Sequence, residues 1–544
     1  MKNLFKHSAI FLLLFLCLMV TGTTLLFIVN VSITKFHLIG FLILSSIIYY
    51  FINKKRLDKK SFFKVLSISL IVISFSTLVS TFMFDRSSDG NTYHKDAIGV
   101  LKEGFNPVYE ESSKFIIKRD NSKQLANYAV WTDHYAKANW IMAANFYSLT
   151  GNIESGKAMN IISLYIVFVL VFVNLTKIVS KRKSFIISLL VVFNPIVSSQ
   201  LFTYYNDQLV CLYLFLSILM LIKIDLDFKN KENWFIYILT FILLSNTKFN
   251  GMGYLLVFSF FFVCKYLYGA YKNKKFLSMF KKLCIIFIPL FIFSFGVVGS
   301  HTYLKNTIDH KNPFFPLYDK NGEDIITEQE PKAFLKMSNV SKLFYGTFSK
   351  ANNLRENDDT TLKIPFTVYK SELKPAMSND LRISGWGIFF SGILIISIIV
   401  LITKYKNYKK ENYIIYSLGI TCLLLLVMSE SWWARYNPYF YLFVIYSLYI
   451  MLRYNKNKLV NVLYISIIFI NSLIPFVGNT YYTFTNSIKI RKDFKKLENK
   501  KIIVIDKKYN GIYYNLKDYN IKFTFGDNSN KEMYYHYINY KDNK

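Results

Sequence analysis

Apolar and polar residues come in blocks along this chain. Runs of roughly 17 to 25 apolar residues, the length a helix needs to cross a hydrocarbon layer, recur near 8–30, 36–52, 63–84, 159–178, 185–203, 208–224, 234–250, 252–268, 283–301, 384–403, 413–430, 437–452 and 459–477. The pattern predicts an all-α polytopic membrane protein with about 13 transmembrane helices. Long polar interruptions fall at 85–158 and 302–383, and a polar tail follows the last run.

The short connections carry a sign. Asn53-Lys54-Lys55-Arg56 with Lys59-Lys60, Lys181-Arg182-Lys183, and the basic stretches 229–231, 272–275 with Lys281-Lys282, 404–410 and 453–458 all fall on one side of the bundle. An excess of Lys and Arg marks the cytoplasmic side, so the N-terminus is expected there. The first run has Lys2 and Lys6 before it and no small-residue cleavage pattern after it, which reads as a retained signal anchor. The opposite, extracytoplasmic face then receives 85–158, the turns at 204–207 and 248–251, the loop 302–383, the turn 432–438 and the tail.

Inside 85–158, Tyr93, Ala97, Val100 and Leu101 follow the stripe spacing of a helix lying on a surface. A second helix is expected from about His134 to Ser148, with Trp140, Ile141 and Phe146 suited to an interfacial belt. In the tail, Lys501-Ile502-Ile503-Val504-Ile505 and Ile521-Lys522-Phe523-Thr524-Phe525 read as short strands between turn residues. The expected division is a membrane domain over 1–486 and a small α+β extracytoplasmic domain over 487–544. No internal repeat or low-complexity segment is visible.

Composition changes the picture at two points. A net charge of +32 would suggest nucleic acid in a soluble protein, but 53% of this chain is hydrophobic and the basic residues sit in short runs between apolar segments. Cys17, Cys211, Cys264, Cys284 and Cys422 all lie in or beside apolar runs without ligand-like pairing, so neither a disulfide framework nor a zinc site is indicated.

Ionisable groups at the rim of a bilayer are costly and tend to mark function. Asp85 and Asp89 follow the third apolar run, where a carboxylate can take a proton from an acceptor hydroxyl; solvated loop acids would look the same. Asp207 opens an apolar helix and is equally read as a cap. Lys248, in Ser245-Asn246-Thr247-Lys248-Phe249-Asn250-Gly251, suits a phosphate or a snorkelling role. Arg435, in Ser431-Trp432-Trp433-Ala434-Arg435-Tyr436-Asn437-Pro438, suits a phosphate or an interfacial anchor, with Glu430 as its ion-pair partner. His94, His134, His301 and His310 show no metal-ligand spacing.

Taken in order, Asp89, Tyr93, Ala97 and Gly104-Phe105-Asn106-Pro107, then Leu149-Thr150-Gly151, Phe193-Asn194-Pro195 with Asp207, Thr247-Lys248-Phe249-Asn250-Gly251, and Ala434-Arg435-Tyr436 resemble the GT-C superfamily of polytopic glycosyltransferases. The resemblance covers roughly 60–455. It implies transfer of a sugar from a polyprenyl-phosphate carrier to a cell-envelope glycan or glycoconjugate acceptor on the outer face. Asp89 would be the general base or acceptor-orienting acid. Asp85 is its rival, because the family often pairs its acids whereas here Asp89-Gly90 follows Asp85 by four residues. Arg435 and Lys248 would stabilise the phosphate leaving group, Asp207 would line the same cavity, and Tyr93 and His94 join them as substrate-binding candidates. The 302–383 loop, with Asn312-Pro313-Phe314-Phe315-Pro316, would cover the site. Some members use a divalent ion; no metal ligand is identified here and no cofactor is certain. The implied partners are the lipid-linked sugar donor, the acceptor and membrane lipid, not nucleic acid. Two other readings stand beside this one. A polysaccharide polymerase or ligase would be expected to carry several arginines in its late outer loop, where 302–383 has only Arg355 and Arg382. A lipid-linked glycan transporter or flippase would favour charges near mid-bilayer.

Overall fold

The computed structural model describes residues 2–115, 123–317, 329–353, 360–504, 511–525, 533–535 and 538–542. Arg355 lies outside them. The membrane part is all-α. Seven helices are long and apolar enough to cross a membrane: Lys2–Ile28, Lys59–Phe82, Ile153–Leu175, Asp207–Leu226, Phe249–Lys272, Phe276–Val298 and Lys458–Leu497. His37–Asn53, Phe390–Thr403 and Asn412–Val427 are shorter apolar helices. Lys181–Val192, Lys231–Ser245 and Leu442–Tyr454 occupy the remaining apolar runs.

Each helix sorts its residues by what it touches. Lys59–Phe82 turns Val65, Ser69, Ile73, Ser76 and Ser80 inward at three- and four-residue spacing, and leaves Ile71 and Leu78 exposed on the other side. Small residues let two helices approach, while an exposed apolar face is what lipid requires. Lys2–Ile28, by contrast, is buried along most of its length and forms the centre of the bundle. Tyrosine hydroxyls bridge helices inside this apolar core. Tyr213 meets Ser163 at 2.7 Å, Tyr237 meets Ser259 at 2.6 Å, and Tyr464 meets both Ser397 (2.8 Å) and Ser447 (2.6 Å).

Among the described residues, ion pairs gather at the two ends of the bundle. At one end Lys6 pairs with Glu232, Lys265 with Asp225, and Arg453 with Glu411, where the Tyr449 and Tyr454 hydroxyls also donate to the Glu411 carboxylate. The other end carries 84–115, 123–157, 300–317, 329–353, 360–389 and the described part of the tail.

Two expectations for that end need correction. The helix Lys95–Lys102 does not lie on a surface: every residue from Lys95 to Leu101 is buried. The stripe was read correctly as apolar, but the tail covers what would have been its polar face. The second expected helix is present as Ala138–Thr150, preceded by a further helix Lys123–His134, but its Trp140, Ile141 and Phe146 are fully buried core residues, not belt residues.

The tail forms a four-stranded sheet of order β2-β1-β4-β3, with β1 Lys501–Val504, β2 Lys522–Phe525, β3 Met533–Tyr535 and β4 Ile538–Asp542. β1 runs parallel to β2 with Lys501 opposite Lys522, and antiparallel to β4 with Ile502 opposite Asp542. The helix Ile512–Asp518 docks on the outer segment. Its Tyr514 ring lies where a side chain on Gly99 would project, and the Gly511 N–H donates to the Asn91 carbonyl at 2.7 Å. We expect Gly99→Val to force the two helices apart. Limited proteolysis in detergent should then cleave between the helix Lys458–Leu497 and the tail faster than in wild type, leaving the helical bundle intact.

Candidate functional site

The sequence of the turn after Val427 sets the centre of the site. Short 3-10 segments at Ser429–Trp432, Ala434–Tyr436 and Pro438–Tyr441 break the helix and aim Arg435 inward. The loop above holds this turn through close backbone approaches. Gly346 lies against Trp432 and Gly385 against Ala434, where any side chain would overlap, and Trp386 Nε1–H donates to Asn437 Oδ1 at 2.7 Å.

Arg435 gathers three carboxylates from three separate parts of the chain. Its Nε lies 2.8 Å from Asp207 Oδ2, one terminal nitrogen 3.1 Å from Asp380 Oδ2, and the other 3.0 Å from Asp89 Oδ2. Lys248 Nζ takes the second oxygen of Asp207 at 2.6 Å, and Gln200 adds a third hydrogen bond to Asp207 at 3.2 Å. Aromatic rings surround the cations: the guanidinium sits 4.5 Å from the Tyr205 ring centre and 5.3 Å from that of Trp433, and the Lys248 ammonium 4.4 Å from that of Tyr436. Such contacts favour a partly desolvated cation.

The three acids are not equivalent. Asp207 has no exposed side-chain surface, Asp380 retains 18% and Asp89 29%. Asp207 is therefore the fixed anchor, and Asp89 and Asp380 form the accessible side. Burial pushes the Asp380 carboxyl above its ordinary range, against the opposing pull of Arg435. Its second oxygen accepts Trp433 Nε1–H at 3.1 Å. The segment that presents it is stapled by a buried ion pair, Lys363 to Glu372 at 2.6 Å, with the Ala351 and Tyr369 N–H groups also donating to Glu372.

Asp89 is positioned from behind. The turn that carries it closes on Asp85, whose oxygens accept the N–H of Ser87 at 2.7 Å and of Tyr204 at 2.9 Å. Asp85 is buried away from Arg435, and burial pushes its carboxyl up. Asp85 is thus a turn-forming residue here, and Asp89 is the acid of the two that meets Arg435. Gly90 is required because a Cβ there would overlap the Asp85 and Ser87 side chains. Beneath the turn, fully buried Glu154 binds Lys95 at 2.6 Å, Asn515 Nδ2 at 2.9 Å, the Asp85 N–H at 3.0 Å and the Lys157 ammonium. Lys95 in turn donates to Asn91 and Asn515, both at 2.9 Å.

The remaining expected residues have clear places. Asp207 is the first residue of its helix and gives its carboxylate to Arg435 and Lys248 instead of capping. Lys248 is 6% exposed and ion-paired, so it does not snorkel. Glu430 does not pair with Arg435; its carbonyl accepts the Trp433 N–H at 3.0 Å, while its side chain has no hydrogen bond or ion pair among the described residues and lines a cavity. Tyr93 stacks between His94 (4.2 Å) and Trp131 (6.3 Å) beside that cavity. His94 Nδ1 accepts from Trp140 Nε1 at 2.7 Å, which leaves any ring proton on Nε2. Burial, with Lys248 and Arg435 nearby, lowers its pKa to about 3. Several motif residues serve the backbone: Asn194 caps the helix Pro195–Gln200, and Asn106 ties the outer segment to the Phe27 carbonyl at 2.9 Å. Asp380 and the group Lys95, Glu154, Lys157 and Asn515 were missed. Glu154 and Lys157 open an apolar span, so the rim rule that flagged Asp207 also applies to them. Asp380 sits in a long polar loop without any local signal.

The donor set does not fit a metal. Among the described residues no group of three or more His, Cys, Asp or Glu side chains is arranged to hold one, and the aspartates that do converge meet a guanidinium. Comparison with protein-family models, with curated proteins and with solved structures finds no match.

Removing Arg435 would leave Asp207 buried with half of its compensation. Arg435→Ala should destabilise the protein by about 3–5 kcal/mol, read as a lower melting temperature in detergent. Arg435→Lys should recover little, because an ammonium cannot meet three separated acids. Acid lability should follow from the histidines. His94 and His134 have folded pKa values lowered to about 3 and about 4, chiefly by burial. The unfolded chain therefore binds more protons below the ordinary value of about 6.5, so their contribution is present above that pH and is lost as pH falls. The expected slope is about 1.4 kcal/mol per pH unit for His94 and smaller for half-buried His134, which solvent screens, and His94→Gln should flatten the loss of melting temperature below pH 6.

Proposed function

We propose that the chain is a membrane glycosyltransferase that moves a sugar from a polyprenyl-phosphate carrier to a cell-envelope glycan or glycoconjugate acceptor on the extracytoplasmic face. The observation that carries the reading is Arg435 at the rim of the bundle, joined to Lys248 and to three aspartates of unequal exposure. Two cations at a membrane edge suit a lipid phosphate, which a guanidinium binds through parallel hydrogen bonds. The exposed acids can give way to it while Asp207 keeps its hold.

In this reading the carrier phosphate takes the two terminal nitrogens of Arg435, displacing Asp89 and Asp380. The freed Asp89 carboxylate accepts the proton of the acceptor hydroxyl as that oxygen bonds to the anomeric carbon. The carbon–oxygen bond to phosphate breaks with its electron pair going to the phosphate. The leaving polyprenyl phosphate gains a negative charge that Arg435 and Lys248 stabilise.

The orientation belongs to the same proposal. Thirteen crossings starting from a cytoplasmic N-terminus put every short basic connection on one side and Asp89, Asp207, Lys248, Asp380 and Arg435 on the other. The concentration of charged groups at the bundle ends, with no ion pair among the described residues in its middle, favours a rim enzyme over a transporter with a mid-bilayer site.

Purified protein in lipid, supplied with a panel of polyprenyl-phosphate sugars and candidate acceptors, should release polyprenyl phosphate from one donor. Asp89→Asn should lower kcat about 10²- to 10⁴-fold with donor binding retained, whereas Arg435→Ala should lose both. Turnover unchanged in Asp89→Asn, or movement of a lipid-linked glycan between leaflets without donor cleavage, would overturn the proposal.

A further inference from the structure

Beside the Arg435 cluster lies a cavity of about 240 Å³ that the chemistry above leaves unused. Trp131, Tyr135 and Tyr436 form aromatic walls, Met252 adds apolar surface, Lys248 stands at one side, and Glu430 is an acid of the lining. Glu430 is 8% exposed, and its side chain has no hydrogen bond or ion pair among the described residues. Polar groups buried and unmatched cost free energy unless something pairs with them.

What would pair with them is constrained. A hydrocarbon chain would leave the Glu430 carboxylate unmatched, so the cavity is not a groove for the isoprenyl tail. A second cation would be repelled by Lys248. A neutral, hydroxyl-rich ring meets both features: its hydroxyls donate to Glu430, and its C–H faces pack against the aromatic rings. We infer that this cavity holds a sugar ring of the substrate, with Glu430 reading its hydroxyls. The inference rests on the glycosyltransferase reading for its place in the reaction, and the sugar is either the one on the donor or one on the acceptor.

The test uses the full chain in lipid nanodiscs, with Glu430→Gln and the cavity-filling Met252→Trp, both checked for monodispersity. Affinities are measured for the sugar-bearing carrier, for sugar-free polyprenyl phosphate, and for a panel of methyl glycosides read by tryptophan fluorescence. We expect Glu430→Gln to weaken sugar-bearing ligands about tenfold or more, and Met252→Trp to abolish glycoside binding. Sugar-free polyprenyl phosphate should bind both variants within about twofold of wild type, since hydrogen bonds to the sugar are the ones removed. A sugar that raises carrier affinity in wild type but not in Glu430→Gln assigns the cavity to the donor. A glycoside that binds carrier-saturated protein, and is lost in Met252→Trp, assigns it to the acceptor. Saturable glycoside binding, lost in Met252→Trp, without any carrier binding would support the cavity while removing the carrier reading. Glycosides that fail to saturate the wild type, together with carrier affinity indifferent to the sugar, would overturn the inference even if the protein turns over donor. Unchanged sugar affinity in both variants would overturn it as well.

Discussion

A guanidinium offers hydrogen bonds in three directions, and at Arg435 each direction ends on a different aspartate. A cation this deeply buried at the edge of an apolar bundle is tolerated only with matched charge around it. Matching it fixes the geometry of everything else at that end. Asp207 brings in the start of one spanning helix, Asp89 the first outer segment, and Asp380 the end of the long loop, while Lys248 ties the adjacent helical hairpin to Asp207. The arrangement sets two cations against three carboxylates, so the cluster holds together without an external anion and still offers one if the exposed acids move. Burial and access are thereby divided among residues that look alike in sequence: the most buried acid, Asp207, anchors the guanidinium, and the most exposed, Asp89, keeps 29% of its side-chain surface.

The same division appears one layer back. Glu154, Lys95 and Lys157 are buried charges whose partners satisfy one another, with Asn515 of the tail completing the set. A network of this kind is costly to break at any member. Its position under the Asp85–Asn91 turn means that the tail helix, more than 400 residues away in sequence, supports the backbone that presents Asp89. The outer segment and the tail therefore act as one support for the site.

The helices were legible in the sequence because a membrane-crossing segment declares itself by length and apolarity, which are local properties. Asp89, Asp207, Lys248 and Arg435 were legible for a related reason: each is an ionisable group at the edge of an apolar run. What they touch was not. Lys248 pairs with Asp207 across 41 residues and Arg435 with Asp89 across 346, and no spacing rule reaches so far. Asp380 carries no signature at all until the loop folds over the turn at 429–441. The helix Lys95–Lys102 was misread as a surface stripe because its apolar spacing says which side packs, whereas the tail that covers the other side lies at the far end of the chain. Asp85 and Asp89 were inseparable in sequence; backbone N–H groups claim one and Arg435 the other.

The central claim is that Arg435 trades its exposed carboxylates for a lipid phosphate. An electron cryomicroscopy structure of the protein in nanodiscs with polyprenyl phosphate tests it directly. The account predicts phosphate density at the terminal nitrogens of Arg435 and within reach of Lys248, with Asp207 unmoved on Nε and with Asp89 and Asp380 turned away. Phosphate bound elsewhere, with all three aspartates still on Arg435, would contradict it.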